Sequence, residues 1–313
     1  MSTAEPGPAA DGTDPIPRVR ATGAVKMSEL SPLSNPWGLE GLSVVVMGAG
    51  GGGIGTSISR FLGHARASVV AVDIDAEKLK VCTDALAADG TKHIGLVADG
   101  RDKAAVAEVV DKACELAPLR GSVQVAGGMW PPQWAPFASD DPAFDDVMAL
   151  NFGSTVNTVR AVGRRLVEQG NGGTLCNIAT TSALNGMPYG SAYAAAKAAV
   201  LSLTRSLSIE WGSRNIRVNA VAPGSIATPK SASTRKPGDT DGNDTDVIPM
   251  RRRGTSDDIA KGVLFMMSDM SAYVTGQVLC VDGGTSVRPT YNDSEELPVF
   301  VHNEELRARL RDW

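Results

Sequence analysis

Four consecutive glycines, Gly50 to Gly53, stand in the stretch VVVMGAGGGGIGTSISRFL of residues 44–62, between a β-branched run and an amphipathic one. A strand that ends in so bare a turn and opens directly into a helix brings backbone N–H groups and the positive end of a helix dipole to one point. Side chains there would hold an anion off, whereas glycine lets a pyrophosphate approach the backbone. The same strand–turn–helix rhythm recurs along the chain. Val44 to Met47, Val69 to Val72, Ile94 to Ala98, Val123 to Ala126, Thr174 to Ile178, Arg217 to Val221 and Gln277 to Val281 read as strands. Ile54 to Leu62, Ala76 to Ala88, Ala104 to Leu116, Ala143 to Leu166, Tyr193 to Trp211 and Thr255 to Met267 read as the helices between them. This alternation predicts an α/β fold, a doubly wound parallel sheet with helices on both faces.

Composition bounds the partners. At 313 residues with 42% hydrophobic content and 21% charge, the chain can bury a full core. A formal charge of −5 and a pI near 5.3 count against a nucleic-acid surface and favour a small-molecule partner. Cys82, Cys114, Cys176 and Cys280 form no CxxC pair and lack neighbouring histidines, so neither a disulfide framework nor a metal site is expected, and a reducing cytoplasm suits them. The sequence shows no apolar run of signal-peptide or membrane-span character, so no membrane partner is expected. Residues 1–40, rich in Pro and Gly, read as a flexible tail; 41–285 read as one dinucleotide-binding catalytic domain; 286–313, with LPVFV and Trp313, read as a C-terminal arm. The polar stretch at about 229–250 is too hydrophilic to pack and reads as a substrate loop, either lid or insert.

Two further features sharpen the chemistry. Asp73 ends the strand SVVAVD, twenty residues beyond Gly53, where a carboxylate can accept hydrogen bonds from ribose hydroxyls. A carboxylate repels a 2′-phosphate, and the glycine loop contains no Arg or Lys, so NAD is favoured over NADP. In SAYAAAKAAV, Tyr193 and Lys197 are four residues apart, on one face of a helix. A phenol with a pKa near 10 is a poor acid–base catalyst at neutral pH; lowering it by ~3 units takes ~4 kcal/mol, which a nearby ammonium in a partly dry pocket can supply.

Taken in order, GAGGGGIG, Asp73, Asp99, AGG at 126–128, Asn151 in ALNFG, YAAAK, RVNAVAPGSIATP and YVTGQVLCVDGG resemble the short-chain dehydrogenase/reductase family over roughly residues 41–285. The resemblance implies a single-domain Rossmann-like fold and an alcohol dehydrogenase or ketoreductase. It implies catalytic Asn151, Thr180, Tyr193 and Lys197, with Asn151 holding a helix distortion and a relay water. Gly48, Gly53, Ile54, Gly55, Asp73, Asp99, Gly127, Tyr193, Lys197, Pro223, Gly224, Ile226 and Thr228 would line the cofactor. Asp99 would meet the adenine, and Ile226 and Thr228 the carboxamide and phosphate ends. A homotetramer or dimer through the Ala143–Leu166 and Tyr193–Trp211 helices is implied as well.

The chain also departs from the family pattern. The glycine loop is one residue longer and is expected to bulge while Gly53 and Gly55 keep their roles. Gln124 and Val125 replace the two asparagines of the usual N-N-A-G. Thr180 stands where a serine is usual, with Thr181 and Ser182 as substitutes; its hydroxyl can donate the same bond, but its methyl crowds the pocket. Trp130, Trp134, Met187 and Tyr189 are candidates to line an apolar cleft, which suggests a bulky or cyclic secondary alcohol. Arg251 to Arg253 read as a solvated basic run, and Thr255 or Ser256 before Asp257 and Asp258 as a capped helix start. Two other readings stand beside the dehydrogenase: an enoyl-type reductase, although such relatives usually space the Tyr and Lys more widely, and an inactive NAD-binding sensor.

Overall fold

The computed structural model describes residues 35–129, 143–229, 245–287 and 304–311. Nine strands occur among them: β1 (Ser43–Met47), β2 (Ser68–Asp73), β3 (His93–Val97), β4 (Leu119–Gln124), β5 (Gly173–Ile178), β6 (Ile216–Pro223), β7 (Ile226–Ala227), β8 (Gly254–Thr255) and β9 (Val278–Val281). Seven make one sheet in the order β3-β2-β1-β4-β5-β6-β9, with each neighbouring pair parallel. Strands β1, β5 and β6 are buried along their whole length, as the near-continuous apolar runs of a doubly covered parallel sheet require. β7 and β8 pair separately beyond the end of β6.

Eight helices accompany the described strands: α1 (Ile54–His64), α2 (Ala76–Ala88), α3 (Lys103–Leu116), α4 (Ala143–Met148), α5 (Ser154–Gln169), α6 (Ser191–Gly212), α7 (Ser256–Met267) and α8 (Glu304–Arg311). Ile58 and Leu62 of α1, Leu79 and Leu86 of α2 and Ile259 of α7 fill the core on one face of the sheet. Val106 and Val110 of α3, Val159 and Val162 of α5 and Leu207 of α6 fill the other. Asp75 and Asp102 cap α2 and α3 through their side chains, and Gly170, at φ +70°, ends α5 in a left-handed turn.

Two elements differ from the sequence reading. Ala143 to Leu166 is not one helix, because a π turn over Ala149–Gly153 separates α4 from α5. The fourth strand runs from Leu119 to Gln124 rather than from Val123 to Ala126, and the backbone N–H groups of Val125 and Ala126 both turn to the Met47 carbonyl at 2.8 Å. The sheet order reverses between β1 and β4, so the carboxyl ends of these strands flank the crevice at which doubly wound folds bind ligands.

Candidate active site

The glycine loop leaves β1 at the Met47 end and is folded by its own backbone. Gly48 adopts φ +86°, and a β-carbon on it would stand 2.5 Å from the Ala126 nitrogen, so only glycine lets the β1 and β4 exits approach each other. Thr56 of α1 closes the loop from within: its hydroxyl donates to the Ala49 carbonyl at 2.7 Å and accepts from Gly52 N–H at 3.1 Å. Gly55 packs directly on Gly48, where a β-carbon would lie 2.0 Å from the carbonyl oxygen. The middle of the loop turns through left-handed backbone, with Gly51 and Gly52 at φ +80° and +68° and Gly51 N–H bonded to the Lys78 carbonyl of α2 at 3.0 Å. Lys78 escapes a reading restricted to the loop itself, since it lies on the next helix.

Asp73 has a second task besides the one read from the sequence. One carboxylate oxygen accepts from Gly50 N–H at 2.9 Å and the other from Asp75 N–H at 3.1 Å, so the acid pins the glycine loop to the end of β2. Lone pairs remain for ribose hydroxyls. Asp99 is held by Arg101, whose guanidinium nitrogens lie 2.7 and 3.0 Å from its carboxylate; these hydrogen bonds keep the carboxyl below its usual range. Across the crevice, Pro223 ends β6, Gly224 N–H donates to the Val281 carbonyl at 3.1 Å, and Ile226 lies in β7. Gly53, at the start of α1, faces Thr228 with 4.0 Å between a β-carbon built on Gly53 and that of Thr228. The loop, α1 and β7 thus border a side-chain-poor cradle of the kind a dinucleotide pyrophosphate fits.

The residues read as catalytic converge at the carboxyl ends of β4 and β5. Asn151 is fully buried in the π turn; its amide oxygen accepts from Gly128 N–H at 2.9 Å, and its nitrogen donates to the Gly128 and Val147 carbonyls at 2.9 Å each. The distorted helix turns Asn151 toward β4 and clasps the strand exit. Gly127, at φ +148°, lies between Asn151 and Lys197: a β-carbon there would stand 2.4 Å from the Asn151 oxygen and 3.1 Å from Lys197 Nζ.

Lys197 is buried on α6 and donates to the Ile178 carbonyl at 2.8 Å, with Nζ 6.0 Å from the centroid of the Tyr193 ring. Burial pulls its ammonium down to about 8. The Tyr193 phenol differs from the sequence expectation: burial raises it above its ordinary value, while the Thr180 hydroxyl, hydrogen-bonded to it, pulls it back. Desolvation is the larger of these two opposing effects. Thr180 sits in extended backbone just past β5, and its oxygen accepts from Ser182 N–H at 3.3 Å, which leaves its own proton to give away. The hydroxyl that meets Tyr193 therefore belongs to Thr180, while Thr181 and Ser182 enter a short 3-10 turn.

Of the residues read as lining the substrate cleft, Met187 folds against Gly190 at the start of α6, and Tyr189 is exposed with φ +56°. Trp130 and Trp134 lie outside the described residues, as does most of the polar stretch at 229–250; its last part rejoins the domain where Ile248, buried, packs on Gly283. No group of three or more metal-ligating side chains occurs among the described residues, and none of their helices is long and apolar enough to cross a membrane.

Comparison with known proteins agrees with this fold. The family model described as enoyl-(acyl carrier protein) reductase matches residues 48–286. Galactitol 2-dehydrogenase (L-tagatose-forming) of Cereibacter sphaeroides is 35% identical over 251 residues, 80% of this chain and 96% of that protein. A solved 7α-hydroxysteroid dehydrogenase, in complex with NADH and 7-oxo-glycochenodeoxycholic acid, superposes with a TM-score of 0.74 at 31% identity, covering 81% of this chain and 98% of its own. A gluconate 5-dehydrogenase from Burkholderia cenocepacia, in complex with NADP and tartrate, gives 0.74 at 26% identity, over 82% and 99% of the two chains. The chain belongs to the short-chain dehydrogenase/reductase family, the alcohol and carbonyl oxidoreductases whose fold and motif order it carries.

Proposed function

We infer that the protein transfers hydride between NAD(H) and a secondary alcohol or its ketone, with a bulky, cyclic or polyol substrate. The observation that carries this reading is the meeting of Thr180 and Tyr193 at the end of β5, with Lys197 one turn along α6 and Asn151 across Gly127. Thr180 would donate to the substrate oxygen and orient it. Tyr193 would accept the hydroxyl proton in oxidation and return it in reduction. Lys197, anchored on the Ile178 carbonyl, would hold the nicotinamide ribose and keep positive charge beside the phenol, and Asn151 would fix the π turn and a water that relays the proton. NAD, when bound, supplies the hydride acceptor on the cradle of Gly48, Gly53, Ile54 and Gly55, with Asp73 at the ribose, Asp99 at the adenine, and Pro223, Gly224, Ile226 and Thr228 along its nicotinamide half.

Asp73 supports NAD over NADP, since a fixed carboxylate at the ribose repels a 2′-phosphate. The family model's description keeps an enoyl-reductase reading in view, but the four-residue Tyr–Lys spacing favours carbonyl chemistry. Assembly as a dimer or tetramer through α5 and α6, whose outer face leaves Ile209 82% exposed, belongs to the same proposal. The test is fluorescence titration with NADH and NADPH, then a panel of polyols, cyclic alcohols and hydroxysteroids scored by reduced-cofactor absorbance. Tighter NADH binding and turnover of a secondary alcohol are expected. Binding without turnover across the panel, or preference for NADPH, would overturn the reading.

A further inference from the structure

Beneath the site, three buried side-chain oxygens have no partner among the described residues: Ser122 Oγ, Gln124 Oε1 and Asn177 Oδ1. All three residues are 1% exposed, so bulk solvent does not reach them. Ser122 and Gln124 are two apart on β4 and therefore share a face of the sheet. Gln124 pairs in register with Asn177 on β5, whose side chain leaves on that same side.

The nitrogen ends of both amides are already engaged with the helices above. Gln124 Nε2 donates to Ser154 Oγ of α5 at 3.2 Å, and Asn177 Nδ2 donates to Thr204 Oγ1 of α6 at 3.0 Å. Ser154 and Thr204 spend their own protons on the Leu150 and Val200 carbonyls, so neither can turn to satisfy an amide oxygen. Two acceptors and one hydroxyl are left on the side of β4 and β5 that α5 and α6 cover. Neighbouring strands lie ~4.8 Å apart. Two acceptors bridged by one water stand about 4.5 Å apart, given O···O distances of ~2.8 Å.

The geometry points to a buried water site between β4, β5, α5 and α6. Its water donates to Gln124 Oε1 and Asn177 Oδ1 and accepts from the Ser122 hydroxyl, the roughly three hydrogen bonds that interior waters make. The site ties the two strands together directly below the π turn of Asn151 and one residue before Ile178, whose carbonyl holds Lys197. It is independent of the substrate and cofactor proposed above.

The test is a crystal structure of the full chain, at a resolution that shows ordered solvent, together with Ser122→Ala. A density peak about 2.6–3.2 Å from all three oxygens is expected. Ser122→Ala removes the donor and should lower the unfolding midpoint by roughly 2–4 °C while leaving NADH affinity unchanged. A patch with no peak, or with Gln124 rotated so that its nitrogen bonds directly to Asn177 Oδ1, would overturn the site. So would an unchanged or raised midpoint, because deleting an unpaired buried hydroxyl relieves a penalty rather than breaking a bond.

Discussion

At the scale of single residues, the Tyr193 phenol decides what pH will do. Spacing alone places Lys197 beside Tyr193, and charge reasoning then lowers the phenol. Burial raises it instead, opposed by the hydrogen bond from Thr180. Burial of this kind depends on the packed environment, which no local sequence pattern carries. A raised phenol is neutral at pH 7, ready as an acid for ketone reduction and short of its basic form for oxidation. Alcohol oxidation should therefore climb about tenfold per pH unit between pH 7 and 9 while reduction, which uses the protonated phenol, stays level, as read from kcat/KM profiles in both directions; a flat oxidation profile over that range would count against it. Thr180 gives a second prediction. Thr180→Ser keeps the hydroxyl and should hold kcat/KM within about threefold, whereas Thr180→Val, which keeps the shape and deletes the donor, should cost about a hundredfold.

At the scale of elements, caps and glycines were legible and the helix distortion was not. The Thr255 start of α7 is read from S/T and acid spacing, and the structure closes a capping box between Thr255 and Asp258. The glycine loop was likewise legible as the turn that joins β1 to α1. The π turn at Ala149–Gly153 was not readable from periodicity, since one extra residue in a turn leaves the apolar pattern of its flanks intact; only the resemblance of ALNFG to a family landmark pointed to it. Asp73 as an anchor of Gly50 was also hidden, because that contact joins β2 to the loop across the sheet. The loop makes the element-scale prediction. Gly55→Ala would drive a methyl into the Gly48 carbonyl, a backbone group that cannot swing aside. It should cost about 2–3 kcal/mol in urea unfolding and weaken NADH binding at least tenfold by fluorescence titration; unchanged affinity would dissociate loop geometry from cofactor binding.

At the scale of the whole molecule, the parallel sheet divides the labour between its two edges. The carboxyl ends of the strands gather the glycine loop, Asp73, Asn151, Thr180, Tyr193 and Lys197 from distant parts of the chain. Strand–helix alternation announces that arrangement in advance. The amino ends do structural work that sequence reasoning missed, because its partners, two backbone carbonyls and a serine hydroxyl, are brought near only by folding. There Arg217 is buried and its guanidinium donates to Ser271 Oγ at 2.9 Å, the Ser268 carbonyl at 3.0 Å and the Val274 carbonyl at 3.3 Å, clamping the connection from α7 to β9. Arg217→Leu should lower stability by about 3 kcal/mol in denaturant unfolding, with NADH affinity intact. The measurement that bears most directly on the function compares wild type with Tyr193→Phe on the secondary alcohol the panel identifies, since phenylalanine keeps the ring and deletes only the proton-accepting oxygen. NADH affinity should hold within about threefold while kcat falls about a thousandfold or more; Tyr193→Phe turning over at the wild-type rate would contradict the assignment.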